Sequence, residues 1–300
     1  MTRSLLRSAT TTLAPYLLTG PAIAFVAVFL YAPVLFSVGL SFSDWDFIHP
    51  DAGFVGLDNY TRVLSDPDFR EAAWNTLLYC VVLIPAQIIV PLVLAALLLR
   101  VSESRASRVY KPLLFLPTIL AYSTAGIAWL WLFDPLNGFL NTVLTGLGAG
   151  ASRWYTDPDL ALWCVAIVTF WKTFGLNMLL FLTALVGIPK DVLEAAAIDN
   201  AGPLKRFWTI ELPLISPTFF FVAVTTSFSV LDDIVGVIDV LTGGGPYGSS
   251  TNILYYMYER GLKYFQFGQA SAASVIIIAL VLLVTWAQFR LFEQKVHYES

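Results

Sequence analysis

Six stretches of this chain are apolar for long enough to cross the roughly 30 Å hydrocarbon core of a bilayer, which takes about 20 helical residues. They fall near 15–40, 73–99, 112–133, 160–187, 212–236 and 271–292. Inside a bilayer every backbone polar group has to be satisfied within the protein, so such segments have little choice but to form helices. The expectation is an all-α, polytopic membrane protein with six transmembrane helices. Composition agrees, with 57% hydrophobic residues, 13% charged residues and a mean hydropathy of +0.72, outside the usual range of a soluble domain. Arg3 and Arg7 precede the first run as they would in a secretory signal. That run continues from Tyr16 through Leu40, longer than a signal's apolar region, so a retained span is predicted. Pro33, Pro85, Pro91 and Pro117 fall inside spans, where neighbouring helices can satisfy the backbone groups they free.

Orientation follows from lysines and arginines on alternate loops. One side carries Arg3, Arg7, Arg100, Arg105, Arg108, Lys111, Lys190, Lys205, Arg206, Arg290 and Lys295; the other carries Arg62, Arg70, Arg153, Arg260 and Lys263. Eleven against five places both termini in the cytoplasm, together with the connection between the fourth and fifth spans. The domain reading is one transmembrane unit over 1–300, with a cytoplasmic loop at 188–211 and outer loops at 41–72, 134–159 and 241–270.

That cytoplasmic loop is a polar island, Glu194-Ala195-Ala196-Ala197-Ile198-Asp199-Asn200-Ala201-Gly202-Pro203, followed by Ile210-Glu211-Leu212-Pro213. Pro189 suits a helix start, Leu193 to Ala197 are good helix formers, and the helix is expected to stop at Gly202-Pro203. Small alanines leave a slim surface that can enter another protein's groove, with Glu194 and Asp199 as polar contacts. The pattern resembles the "EAA" loop of membrane subunits of bacterial ABC importers. The resemblance implies the permease architecture of a type I importer, set in the bacterial inner membrane. It also implies a coupling helix that docks on a separate ATPase, carried here by Glu194, Ala195, Ala196, Asp199 and Gly202. The implied partners are a second homologous permease, two ATPase subunits and an extracytoplasmic substrate-binding protein. ATP and Mg are expected on the ATPases, with no cofactor in this chain.

The remaining chemistry is sparse. No Gly-x-x-x-x-Gly-Lys-Ser/Thr occurs, so no P-loop nucleotide site is expected. Leu241-Thr242-Gly243-Gly244-Gly245-Pro246 looks like an ATPase signature, but it follows a membrane helix on the outer side and is rejected as one. Cys80 and Cys164 sit in apolar runs and His49 and His297 stand far apart, which indicates neither disulfide nor metal site. The net charge of −4 argues against nucleic acid. The first outer segment is acidic, and Asp66 and Asp68 are candidates for steering a docking binding protein, with simple solvation as the alternative. Trp129, Trp131, Trp154 and Trp163 read as interfacial belts, and 134–159 as a flexible connection or interfacial hairpin. Thr251 to Lys263 reads as a helix at the membrane surface, with Ser249 or Ser250 as its cap.

Lys172 is the residue that hydropathy does not explain. It falls about 18 Å deep from the outer end of its span, where an ionisable group needs a partner or a water-filled path. Asp232 and Asp233 are the available opposite charges, near the outer rim by the same counting, and Asn177 is a weaker candidate for the same path.

Phe54-Val55-Gly56-Leu57-Asp58-Asn59-Tyr60 and Trp74-Asn75-Thr76 are similar to stretches of sugar-type permeases. Ile238-Asp239, Gly244-Gly245-Pro246, Thr251-Asn252-Ile253-Leu254-Tyr255 and the tail from Gln288 to Tyr298 resemble permeases for glycerol-3-phosphate and glycerophosphodiester uptake. A sugar or oligosaccharide is the alternative cargo. An ion-coupled secondary transporter is a more remote reading, because no internal repeat links the two halves and Lys172 alone would serve a relay.

Overall fold

The computed structural model describes residues 18–45, 53–100, 107–200 and 202–292. Arg3, Arg7, Arg105, Ala201 and the tail from Glu293, all used in the sequence reading, lie outside the described residues. The described chain is nearly all helical, its one extended pairing being an isolated bridge between Ser43 and Phe54.

Five helices are each long and apolar enough to span a membrane: Leu18–Leu40, Pro67–Leu99, Pro158–Val186, Ser216–Leu241 and Phe267–Arg290. A sixth candidate is a helix pair, Val109–Ile119 with Tyr122–Leu132, bent by 105°. The expectation of a continuous third span is corrected here. Pro117 lacks the N–H that would bond the carbonyl of Leu113, and two residues past Ile119 the chain turns extended at Ala121 (φ −66, ψ 150).

The backbone gathers into two compact units, Met1–Leu64 with Met257–Ile276 and Ser65–Tyr256 with Ile277–Ser300. In the first, helix α1 (Leu18–Leu40) has no buried residue in its apolar window. A π turn at Ala27–Tyr31 precedes Pro33, relieving the clash its ring would make one turn back. The next helix, α2 (Asp58–Ser65), is fixed through Asn59, whose Nδ2 donates to the carbonyls of Ser41 and Ser43. Gly268 approaches Ser43 and Asn59 so closely that a Cβ there would collide with backbone.

The second unit is built on α3 (Pro67–Arg100), followed by α4 (Ser107–Ile119), α5 (Tyr122–Leu132), α6 (Phe139–Gly146) and α7 (Pro158–Val186). Then come α8 (Lys190–Ile198), α9 (Pro203–Arg206), a π turn at Phe207–Glu211, α10 (Leu212–Leu214), α11 (Ser216–Asp232) and α12 (Val235–Leu241). The short α13 (Ile253–Tyr258) and the long α14 (Phe267–Phe292), which both units share, complete the chain. Two apolar clusters hold this unit. Towards the 188–211 loop, Ile88, Leu92 and Ala95 of α3 pack with Met178, Phe181 and Leu185 of α7 and Val222 of α11. At the other end, Tyr79 and Leu83 pack with Val165 and Val168 and with Ile234, Ile238 and Tyr255.

Polar side chains cross this core where prolines have left carbonyls open. Pro91 cannot donate to the carbonyl of Gln87, and Asn177 Nδ2 does so instead at 2.9 Å while reaching Thr226 Oγ1 at 3.1 Å. One amide thus ties α3, α7 and α11 together. Gly175 brings α7 against α4, where a Cβ would sit 2.5 Å from the carbonyl oxygen of Leu114.

Outside the spans the chain is better ordered than its composition suggests. The 134–159 connection, expected to be flexible, is folded around Asn141. That side chain donates to the carbonyls of Pro135 and Ser152 and accepts from the Ser152 N–H and the Trp154 indole. Trp129 and Trp154 are correspondingly core residues, each packed on Phe133, whereas Trp131 and Trp163 are exposed as a belt requires. The outer helix is also revised. Its start is Ile253 with Asn252 as the cap, because Asn252 Oδ1 accepts the Tyr255 N–H at 2.7 Å, and Ile253, Tyr255 and Tyr256 are buried rather than laid on a surface.

Candidate functional site

Two places concentrate what the bundle does not need for packing alone. The first is the loop between α7 and α9. Pro189 (φ −57, ψ 134) stands before α8, and the helix ends at Ile198 because Asn200 takes a left-handed φ of 51. It therefore stops short of the expected Gly202-Pro203, and Pro203 instead starts α9, where its missing N–H costs nothing. Ala196 is buried and Leu193 leans on the α3/α7 cluster, which fixes the helix by one edge. Glu194, Ala195, Asp199 and Gly202 are exposed, and Ile198 is 81% exposed. Val192, Leu204 and Trp208 add to an uncovered apolar surface around them.

Behind this surface Glu211 is buried, and its Oε1 accepts from Arg206 Nε at 2.7 Å. The five-residue spacing matches the π turn Phe207–Glu211, which stacks i and i+5 rather than i and i+4. Sequence reading noted Glu211 in its motif but had no signal for the pairing, since a π turn has no composition of its own.

The second place is the bend between α4 and α5. Lys172, 6% exposed, points from α7 to the gap between α4 and α5. Its Nζ lies 3.4 Å from the Thr118 carbonyl oxygen and 3.8 Å above the centroid of the Tyr122 ring. Among the described residues no ion pair joins Lys172 to an acid. Asp232 and Asp233, expected near the outer rim by counting from Pro213, lie at the two-residue interruption between α11 and α12 within the single span Ser216–Leu241, where Asp233 comes near enough for its charge to act on both Lys172 and Tyr122. Asp232 is exposed at the same position in the span. The bend adjoins α12, because a Cβ on Gly236 would meet Tyr122 Cβ at 3.1 Å, and a Cβ on Gly126 would meet Val240 at 3.2 Å. Tyr122 went unnoticed in the sequence because nothing there marks the 105° bend that exposes its ring to Lys172. Asn177, proposed for the same path, is committed to the three-helix junction described above.

A crevice of about 300 Å³ lies elsewhere, between α3, α11 and α14, lined by Leu77, Cys80, Phe228, Leu231, Leu280 and Val284 among others. No charged side chain reaches it, so it offers nothing to an ionic solute.

In the segment expected to face outward, Asp66 caps α3 by accepting the Asp68 N–H at 3.0 Å, and its other oxygen accepts the Tyr256 hydroxyl at 2.7 Å. Asp68 is exposed. The loop from Thr242 to Asn252 is knotted onto α3: Asn75 Nδ2 donates to the Gly248 carbonyl, the Tyr79 hydroxyl to that of Ser250, and the Ile253 N–H to Thr76 Oγ1. Gly244 (φ 80) is required there, since a Cβ would strike Thr251 and Tyr255. At the loop's tip Tyr247, with φ 54, is 92% exposed.

The described residues thus form a helical bundle of apolar spans with a short exposed helix, α8, between the fourth and fifth of them. The chain belongs to the family of binding-protein-dependent transport system inner membrane components, whose model matches residues 66–298. It is 37% identical over 285 residues to the sn-glycerol-3-phosphate transport system permease protein UgpA of Yersinia pestis, covering 95% of this chain and 96% of that one. The protein of the same name from Escherichia coli is 34% identical over equal shares of both chains. In structure it is similar to a chain of a bacterial ABC transporter involved in the import of the acidic polysaccharide alginate. The TM-score is 0.84 at 22% identity, over 97% of this chain and 99% of that chain. The MetNI methionine ABC transporter gives a TM-score of 0.57 at 15% identity, over 76% of this chain and 96% of that chain. At these identities the structural likeness speaks for the fold alone.

Proposed function

We propose that this chain is one permease half of an ATP-driven importer for glycerol-3-phosphate or a glycerophosphodiester such as glycerophosphocholine. The observation that carries the reading is similarity to sn-glycerol-3-phosphate permeases at 34–37% identity over 95% of the chain, far more than a shared fold requires. A second homologous permease, two ATPase subunits and a binding protein complete the assembly. One solved relative of this fold is a complex with an alginate pentasaccharide-bound periplasmic protein, which supports a partner of that kind. The whole chain serves as the permease domain, its termini and α8 facing the cytoplasm.

In this reading α8 takes up the work. Closure of the ATPase pair pulls on Glu194, Ala195, Asp199 and Gly202, while Ala196 anchors the helix to the bundle. Arg206 and Glu211 stiffen the turn that passes the pull to α11. On the outer face the binding protein meets Asp68 and the rigid loop that carries Tyr247. ATP and Mg stay on the ATPases. The test is uptake into proteoliposomes holding the assembled transporter and its binding protein, comparing glycerol-3-phosphate, glycerophosphocholine and common disaccharides. Uptake of either phosphate compound, with disaccharides excluded, is expected; uptake of a disaccharide alone overturns the assignment.

A further inference from the structure

The bend in the third span is held by a residue from another helix. Because α4 ends at Ile119 and α5 begins at Tyr122, the Thr118 carbonyl loses the backbone donor that a continuous helix would give it. Lys172 fills that place with its ammonium and rests the same group on the Tyr122 ring. One cation therefore touches the last turn of α4 and the first residue of α5. At 3.4 Å the carbonyl contact is long for a hydrogen bond, while 3.8 Å to the ring centroid is well within cation–π range, so the ring is the tighter hold. A positive charge also suits the carboxyl end of α4. Pro117 softens α4 one turn earlier but sets no angle.

Next to this bend lies α12, which continues α11 within the single span Ser216–Leu241, and Gly126 and Gly236 let α5 and α12 pack at close range. The segments α5 and α12 thus form a pair that meets at Tyr122 and Gly236. We propose that Lys172 is a positioning residue for transport: it pins the bend between α4 and α5 and thereby holds α5, with α12 packed against it, in place. The role in transport rests on the permease reading; the pinning itself does not.

The experiment measures distances between spin labels at Leu116 of α4 and Ile127 of α5, both exposed, in the full chain with Cys80 and Cys164 replaced by alanine. The unaltered pair should give one narrow distance distribution. Lys172→Met should broaden it and shift it to longer distances as the span straightens, and Lys172→Arg, which keeps a cation over the ring, should restore it. Tyr122→Phe should stay narrow and Tyr122→Leu should broaden, and this pair decides the matter should Lys172→Met fail to accumulate in the membrane. In the assembled transporter the broadened variants should also lose substrate-stimulated ATP hydrolysis. An unchanged distribution in Lys172→Met or Tyr122→Leu overturns the proposal. So does broadening by Asp233→Asn as large as that by Lys172→Met, since the residue would then act as the partner of an acid and not of the ring.

Discussion

At the scale of single residues, the bundle is governed by groups that prolines and breaks leave unsatisfied. Asn177 replaces the N–H that Pro91 lacks, so its value depends on that proline. Asn177→Leu should cost about 0.5–2 kcal/mol, the range of interhelical hydrogen bonds in membranes. In a Pro91→Ala background, where the backbone regains its own N–H at that position, the cost should shrink. A double-mutant cycle by reversible unfolding in detergent checks this, and equal costs in both backgrounds would contradict the account. Gly175 makes a second local test. Its Cβ in Gly175→Ala would meet backbone oxygen of Leu114 at 2.5 Å, whereas in Gly187→Ala the nearest atom is the Ala184 oxygen at 3.4 Å. The first substitution should lower the thermal midpoint, the second much less. Neither requirement is legible in the sequence, because a proline or glycine announces an opportunity in the backbone without saying which distant residue takes it up.

At the scale of elements, apolar length alone located five of the six spans to within a few residues, since the bilayer imposes that length on any helix that crosses it. The third span and the outer connections were harder. A bend at Leu120–Ala121 has no turn signal, and Asn141, which clasps its loop, and Asn252, which caps α13, are polar residues that composition assigns to solvent. The loop motif was legible as a pattern, yet the burial of one alanine and exposure of its neighbour follow only from how α8 sits on its bundle. That contrast yields a test. Ala195→Trp should leave the chain folded and inserted but prevent recovery of the ATPase, whereas Ala196→Trp should lower stability because 196 is buried. Equal behaviour of the two would mean that α8 does not present one face to a partner. Glu194→Ala, on the exposed side, should likewise leave insertion intact while reducing substrate-stimulated ATP hydrolysis.

At the scale of the whole molecule, most charge lies outside the spans, and in the proposed reading its asymmetry decides which partner meets which face. On the acidic side proposed to face outward, Asp66 is occupied as a helix cap and as the acceptor of Tyr256, so its loss would disturb folding as well as any docking. Asp68→Lys is the cleaner probe. It should weaken binding-protein docking more at low salt than at high salt, because screening lengthens or shortens the reach of exposed charges. A salt-independent loss would place the effect in folding. On the opposite side the chain offers α8 and no P-loop of its own, so the account requires that transport be driven from outside this polypeptide. The most direct measurement is uptake of glycerol-3-phosphate by proteoliposomes containing either the chain with its co-purified ATPase or the chain alone. Uptake should occur only with the ATPase, ATP and binding protein present. Uptake by the chain alone, indifferent to ATP, would contradict the account.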